Sequence, residues 1–250
     1  MFYASPSKRA AAGVVVLFFF SFFSSYSLAA PLERRAIDPI TFADLQLFEQ
    51  FAAASYCQGN DNITAGGKKL TCASGNCPLV AADDVATVYE FENYNSWLEA
   101  RAGVLAALLT TAHQYPTYRM TIVGHSLGGA IADVAAAEIR KAGTLADLYT
   151  YGAPRIAGPV LSDYITDQKA GGNYRTTHYD DPVPRLPPRA LGFVHISPEY
   201  YIDTVTGVVP TAANVTALYG NVNLLGNTGN DKNKTDVAAH GWYFNHVSAC

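Results

Sequence analysis

Charge is scarce in this chain. Only 15% of its 250 residues are Asp, Glu, Lys or Arg, against 49% that are hydrophobic. That balance excludes a disordered or fibrous protein and leaves ample material for one substantial core. No cluster of basic residues is present, which argues against a nucleic-acid-binding surface. No CxxC repeat or histidine cluster offers a metal site. After the first 35 residues, no internal repeat or low-complexity linker divides the chain. The apolar run from Val14 to Phe23, broken only by Ser21, is too short to span a bilayer comfortably.

That run has the marks of a secretory signal. Lys8 and Arg9 precede it, and the small residues Ser27, Ala29 and Ala30 follow it. Residues 1–29 are therefore expected to be a signal peptide. Residues 30–35 are expected to be a short propeptide ending at the dibasic pair Arg34-Arg35, and residues 36–250 the folded domain of a secreted, extracellular protein. Removing residues 1–35 takes away four of 17 basic and one of 21 acidic residues, leaving a formal charge of −7.

Four cysteines, Cys57, Cys72, Cys77 and Cys250, form an even set, which in a secreted chain implies disulfides. Three connectivities are open. Cys72 and Cys77 lie close enough to close a small ring, which would leave Cys57 for Cys250. Sequons at Asn62, Asn214 and Asn233 are candidate N-glycosylation sites.

Periodicity places a helix over Thr41–Tyr56, with Leu45, Leu47, Phe48, Phe51 and Ala52 on its apolar stripe. A second helix is expected from Asn95 to Pro116, opened by Ser96 and Glu99 in a capping-box pattern and carrying Trp97, Val104, Leu105, Leu108 and Leu109. Met120–Val123 reads as a buried strand, Gly128–Lys141 as a helix stopped by Gly143, and Leu148–Tyr151 and Tyr174–Tyr179 as further strands. Strand, helix, strand in this order implies a βαβ unit and a parallel sheet.

Between the first of those strands and its helix lies Gly124-His125-Ser126-Leu127-Gly128, a G-x-S-x-G sequence in the context that gives it chemical meaning. A serine on a tight strand-to-helix turn has an exposed hydroxyl near the positive end of the helix dipole. Side chains at either flanking glycine are expected to collide with neighbouring chain. The Leu127 N–H is placed to meet a developing oxyanion. Such a serine needs a base, and the base a carboxylate. Asp180 and Asp181 follow a parallel strand, and the residues alone leave them near parity. His195, His240 and His246 are the downstream candidates for the base. His240 precedes the aromatic run Trp242-Tyr243-Phe244, and His125 reads as a neighbour of the turn.

With these residues in place, the chain resembles the class 3 lipases of filamentous fungi, a family of secreted triacylglycerol lipases and related feruloyl esterases. The likeness runs over nearly all of residues 36–250. It includes Ala54-Ser55-Tyr56-Cys57, Pro116 to Ala130, Tyr151-Gly152-Ala153-Pro154-Arg155, Thr177 to Pro188 and Ala239-His240-Gly241-Trp242-Tyr243-Phe244. The Asp-Pro-Val-Pro-Arg-Leu-Pro-Pro string and the His-x-Trp-Tyr-Phe segment look more like the lipases than the feruloyl esterases. The resemblance implies an α/β-hydrolase fold with a mostly parallel central sheet flanked by helices. It also implies a triad of Ser126, Asp181 and His240, with pairs Cys57–Cys250 and Cys72–Cys77.

One block of the family pattern is missing. A strand ending in a Phe-Arg-Gly-Ser/Thr-like motif, which supplies a second oxyanion donor, and the lid that follows it have no counterpart here. The chain passes from Phe91-Glu92 almost directly to Trp97. The expected fold thus lacks a strand and the lid, and the oxyanion site retains only the Leu127 amide. Poor folding or very low lipase activity is the expected consequence.

The function expected is ester hydrolysis, foremost of triacylglycerols at a lipid–water interface, with no metal or organic cofactor. The alternatives are a feruloyl or other soluble-ester esterase, or a catalytically impaired remnant that binds lipid. Neither nucleic acid nor a stable transmembrane anchor is expected. Non-reducing peptide mapping is expected to recover Cys72 joined to Cys77 and Cys57 joined to Cys250; Cys57 joined to either of the other two would refute the pairing.

Overall fold

In the computed structural model, residues 2–5, 34–60, 67–73, 75–83, 85–87, 96–229 and 234–249 are described. Most of the expected signal and propeptide lies outside them, as do Asn62, Asn233 and Cys250.

Nine strands are described: β1 (Phe2–Ser5), β2 (Arg34–Ala36), β3 (Lys68–Lys69), β4 (Ala86–Thr87), β5 (Arg119–His125), β6 (Ala146–Tyr151), β7 (Asn173–His178), β8 (Glu199–Ile202) and β9 (Val215–Leu218). Five α-helices are described: α1 (Pro39–Ala54), α2 (Pro78–Ala82), α3 (Trp97–Gln114), α4 (Leu127–Lys141) and α5 (Pro159–Asp167). The main sheet has the order β1-β5-β6-β7-β8-β9-β2. Strands β5 to β8 run parallel; β1, β9 and β2 pair antiparallel to their neighbours. The small β3–β4 ribbon stands apart. This is the mostly parallel, helix-flanked sheet expected.

Helix α1 starts two residues earlier than its periodicity suggests. The Asp38 carboxylate accepts hydrogen bonds from the Ile40 and Thr41 amides and the Thr41 hydroxyl, and Pro39 occupies the first helical position. The helix covers one face of the sheet, where Leu45, Phe48 and Phe51 share a core with Val123, Tyr149 and Tyr151. The alternate residues Ile122 and Leu148 face the other side and pack with Ala132, Ala136 and Ile139 of α4, Ile165 of α5 and Ile196. Arg140 fastens α4 to the sheet, donating to the carbonyls of Ala146 and Gly172 and to the Asn173 side chain. Helix α4 ends where Gly143 takes the left-handed conformation (φ 89°), as its sequence predicts.

Helix α3 is less well covered. Ser96 caps it, and Trp97 and Arg101 reach Glu138 of α4. Of its expected stripe only Trp97 and Val104 are fully buried, Leu105 and Leu108 are partly covered, and Leu109 is 76% exposed. The correction at Leu109 has a simple cause: α3 lies on α4, and one helix cannot cover the whole of another's stripe. Among the described residues, no strand between β4 and β5 joins the sheet. The edge of β5 is taken by β1, with Phe2–Ser5 antiparallel to Arg119–Ile122. At the opposite edge Arg34 and Arg35, the expected processing site, lie in β2, with Arg35 over the Tyr219 ring.

The Cys72–Cys77 disulfide is formed, with Cα atoms 5.9 Å apart. Cys57 is buried and disulfide-bonded. Asn214 is half-buried; its side chain accepts from the Thr211 amide and hydroxyl and donates to Asp203.

Glu49, on the inward face of α1, is fully buried, and this pushes its carboxyl up to about 8, only partly offset by the Asn245 backbone N–H. Between the ordinary carboxyl value of 4.5 and about 8, the folded state therefore holds a proton that the unfolded chain has released. Stability from this group is full below that window and is lost as pH rises through it. Glu49→Gln is expected to lack this loss. Urea melts of parent and variant across pH 5 to 9 should show the variant gaining relative stability up to pH about 8 and no further. A difference independent of pH would contradict the protonated assignment.

Candidate active site

Ser126 stands between β5 and α4 with φ 56° and ψ −128°, a conformation that non-glycine residues rarely adopt. The turn is held by its own backbone: the Ser126 amide donates to the Tyr151 carbonyl (2.9 Å), and the Ser126 carbonyl accepts from Gly129 (3.0 Å). A Cβ at Gly124 would run into the Gly128 carbonyl, as expected. Gly128 itself has open space around it, contrary to expectation. It already lies inside α4, and the crowded position is Gly129, where a Cβ would sit 2.7 Å from the Ala153 Cβ. Close packing of α4 on the segment just after β6, one residue further on, is what demands glycine. The turn leaves the Ser126 hydroxyl partly exposed and places Leu127 first in α4, where an N–H has no acceptor within the helix.

The fold brings Ser126, His240 and Asp181 together across 114 and 59 residues of chain. Ser126 Oγ lies 2.9 Å from His240 Nε2, and His240 Nδ1 lies 3.0 Å from Asp181 Oδ2. A carboxylate only accepts, so Nδ1 carries the proton and Nε2 is free to accept from the serine hydroxyl. Asp181 follows β7 and is completely buried. Its Oδ1 accepts from the Val183 amide (2.9 Å) and its Oδ2 also from the Tyr243 hydroxyl (2.7 Å). Burial, reinforced by the Asp181 charge, holds Tyr243 protonated far above the ordinary range. Gly152, at φ 61°, makes room for this arrangement: a Cβ there would meet the Tyr243 hydroxyl, Asp181 and His240 within 3.0 Å.

The other candidates stand elsewhere. The Asp180 carboxylate pairs with Arg185 at 2.9 Å, and Arg185 also donates to the Lys234 carbonyl (2.6 Å). That clamp joins the Asp181 loop to the segment leading to His240. His195 is buried and donates from Nε2 to the Pro184 carbonyl. His246 packs edge-on against Trp242. Three contributors escaped the sequence reading: Tyr243, Tyr56 and Asn227. Asn227 donates to the Tyr179 and Asp181 carbonyls and is itself held by Glu199, which pairs with buried Arg175 at 3.3 Å. The signals available were a tyrosine three residues after His240 and a glutamate in an otherwise apolar strand.

Residues 57–191 match the family model "Lipase (class 3)", and residues 14–88 match that of the lipase 3 N-terminal region. The chain is 31% identical over 281 positions to secreted mono- and diacylglycerol lipase A of Penicillium cyclopium, covering 90% of this chain and 91% of the relative. It is 33% identical over 279 positions to secreted mono- and diacylglycerol lipase 1 of Fusarium solani, covering 88% and 81%. Both alignments run to more positions than the chain's 250 residues, so each relative carries residues that this chain lacks. Among solved structures, a mutant form of MDLA from Penicillium cyclopium superposes with a TM-score of 0.78 at 29% identity, covering 84% of this chain and 98% of that one. The mono- and diacylglycerol lipase from Aspergillus oryzae gives 0.72 at 35% identity, covering 82% and 96%. The chain belongs to the class 3 lipase family.

Proposed function

We propose that this chain is a secreted hydrolase of acylglycerol esters that uses Ser126 as nucleophile, His240 as general base and acid, and Asp181 as the carboxylate that orients the base. The observation that carries this reading is the unbroken hydrogen-bonded series from Ser126 Oγ through the His240 ring to Asp181, at 2.9 and 3.0 Å. As Ser126 Oγ attacks the ester carbonyl, its proton passes to His240 Nε2 and then to the leaving alcohol. Asp181, already accepting the Nδ1 proton, stabilises the imidazolium formed in between. Water, deprotonated by His240, then attacks the acyl-enzyme and releases the fatty acid. The Leu127 N–H serves the oxyanion in both steps.

The relatives' names, secreted mono- and diacylglycerol lipases, support both the substrate class and secretion. Among the described residues, no helix is long and apolar enough to cross a membrane. Val205, Val208, Val209 and Val237 are exposed and would suit contact with a lipid–water interface. Thr206 bonds to Asp236, and Trp242 donates to the Val208 carbonyl, which ties that apolar rim to the His240 segment. A second reading, hydrolysis of soluble esters, is favoured by the missing lid block, since lipid capture through a lid has no counterpart here. Turnover of emulsified mono- and diacylglycerol against a soluble aryl ester separates the two.

A fluorophosphonate is expected to label Ser126, and Ser126→Ala to abolish labelling and turnover without changing far-UV circular dichroism. Asp181→Asn should lower kcat by about 10⁴. Asp180→Asn should have a far smaller effect, because Asp180 pairs with Arg185 and not with the base. The reverse ranking in kinetics would overturn the choice of carboxylate.

With one oxyanion donor, the chain should turn over about 10²–10³ more slowly than a version carrying the family's missing strand and lid. Parallel measurement of ester hydrolysis and thermal unfolding tests this. Equal rates and equal unfolding temperatures would show that the block is dispensable.

A further inference from the structure

His240 is held through its backbone as well as through its ring. His125, the last residue of β5 and immediately before the nucleophile, is buried. Its Nε2 lies 2.7 Å from the His240 carbonyl oxygen, and its Nδ1 lies 2.7 Å from the Tyr56 hydroxyl. A carbonyl can only accept, so the proton is on Nε2. A neutral ring then has only an acceptor at Nδ1, and the Tyr56 O–H is its donor. Both neighbours therefore specify the same tautomer. Burial, and then the proximity of His240, pushes His125 down to about 4, so the ring stays neutral at the pH where the base must work.

The surroundings leave His125 little freedom. Its ring lies against that of His240 at 4.6 Å between centroids, with Tyr56 and Tyr243 edge-on at 5.6 and 5.9 Å. Tyr56 is anchored in turn, just beyond α1 and next to the buried, disulfide-bonded Cys57. The carbonyl it indirectly serves lies at the end of a short 3-10 turn, Val237–Gly241, where the helix supplies no donor for it. An apolar residue in place of His125 would fill the space and leave that carbonyl unpaired.

We propose that His125, oriented by Tyr56, is a positioning residue for ester hydrolysis: it fixes the backbone of His240 while Asp181 fixes its ring, so that Nε2 faces Ser126 Oγ before substrate arrives. The proposal rests on His240 being the base. It makes the residue preceding the nucleophile part of the positioning of a group 115 residues away.

The test is steady-state hydrolysis of a soluble aryl ester by the full chain, with rates expressed per site titrated by a fluorophosphonate. His125→Phe should lower kcat about tenfold with KM changed less than about twofold, the scale of one lost hydrogen bond. His125→Gln, whose amide N–H can reach where Nε2 stood, should recover most of that loss. His125→Asn reaches only towards Nδ1 and should not. Tyr56→Phe should lower kcat in the same direction by a smaller factor. A role confined to stability would lower the unfolding temperature of these variants and leave kcat per titrated site unchanged, and that outcome overturns the proposal. So does an Asn variant equal to or better than the Gln variant, a comparison that holds even if the Phe variant does not fold. Full turnover by His240→Ala, or labelling of the parent at a serine other than Ser126, removes the triad reading itself and this role with it.

Discussion

A carboxylate taken wholly out of water must find its hydrogen bonds inside the protein, and Asp181 imposes that requirement on much of the fold. Its two oxygens accept from Val183, Tyr243 and His240. Its backbone carbonyl is held by Asn227, and Asn227 by Glu199, whose charge is balanced by Arg175. These partners come from β7, β8, two loops and the C-terminal segment, so satisfying one carboxylate draws most of one end of the sheet into a single arrangement. Removing one partner leaves a buried charge or a buried donor unmatched. The network is therefore a constraint on geometry more than a source of net stability.

The site is the convergence of three chain segments at the C-terminal ends of parallel strands, where the strand-to-helix and strand-to-loop connections of an open α/β sheet all emerge. β5 ends in the Ser126 turn and β7 leads to Asp181; the last segment folds back to bring His240 between them. Backbone strain at Ser126 is held by the β6 carbonyl of Tyr151 on one side and by helix α4 on the other. The disulfide loop helps to seat the returning segment: Asn76 bonds to Ser248, and Asn245 donates to the Gly75 carbonyl.

The shortened region between β4 and β5 acts on a different part of the molecule. Beside it, α3 rests on α4 with part of its apolar stripe in solvent, and β5 has an antiparallel edge neighbour. The contacts that join Ser126, His240 and Asp181 lie on the other side of β5 and do not pass through it. Assembly of the three groups thus does not depend on that edge of the sheet, and the expected cost of the missing block falls on rate and stability.

Local order made much of this legible in the sequence. Helices α1, α3 and α4, strands β5 to β7 and the Ser126 turn follow from periodicity, caps and glycine placement, because each depends on residues within a few positions. The misreadings were also local ones: Gly128 for Gly129, and an apolar face on α3 wider than its neighbour could cover. The residues alone leave Asp180 level with Asp181, and favour His240 over His195 and His246 only through the aromatic run that follows it. Family likeness ranked them, but only packing shows the physical difference: Asp180 turns to Arg185, His195 to a carbonyl, His246 to an indole, and one pair remains to face Ser126. The sequence signals for Tyr243 and Asn227 are faint and for Tyr56 absent, since each acts through hydrogen bonds to groups 46 to 69 residues away, Asn227 through two. Short-range sterics and periodicity determine where a nucleophile can stand; which distant groups serve it is decided by tertiary structure, because a hydrogen bond depends on a few tenths of an ångström that chain separation does not encode.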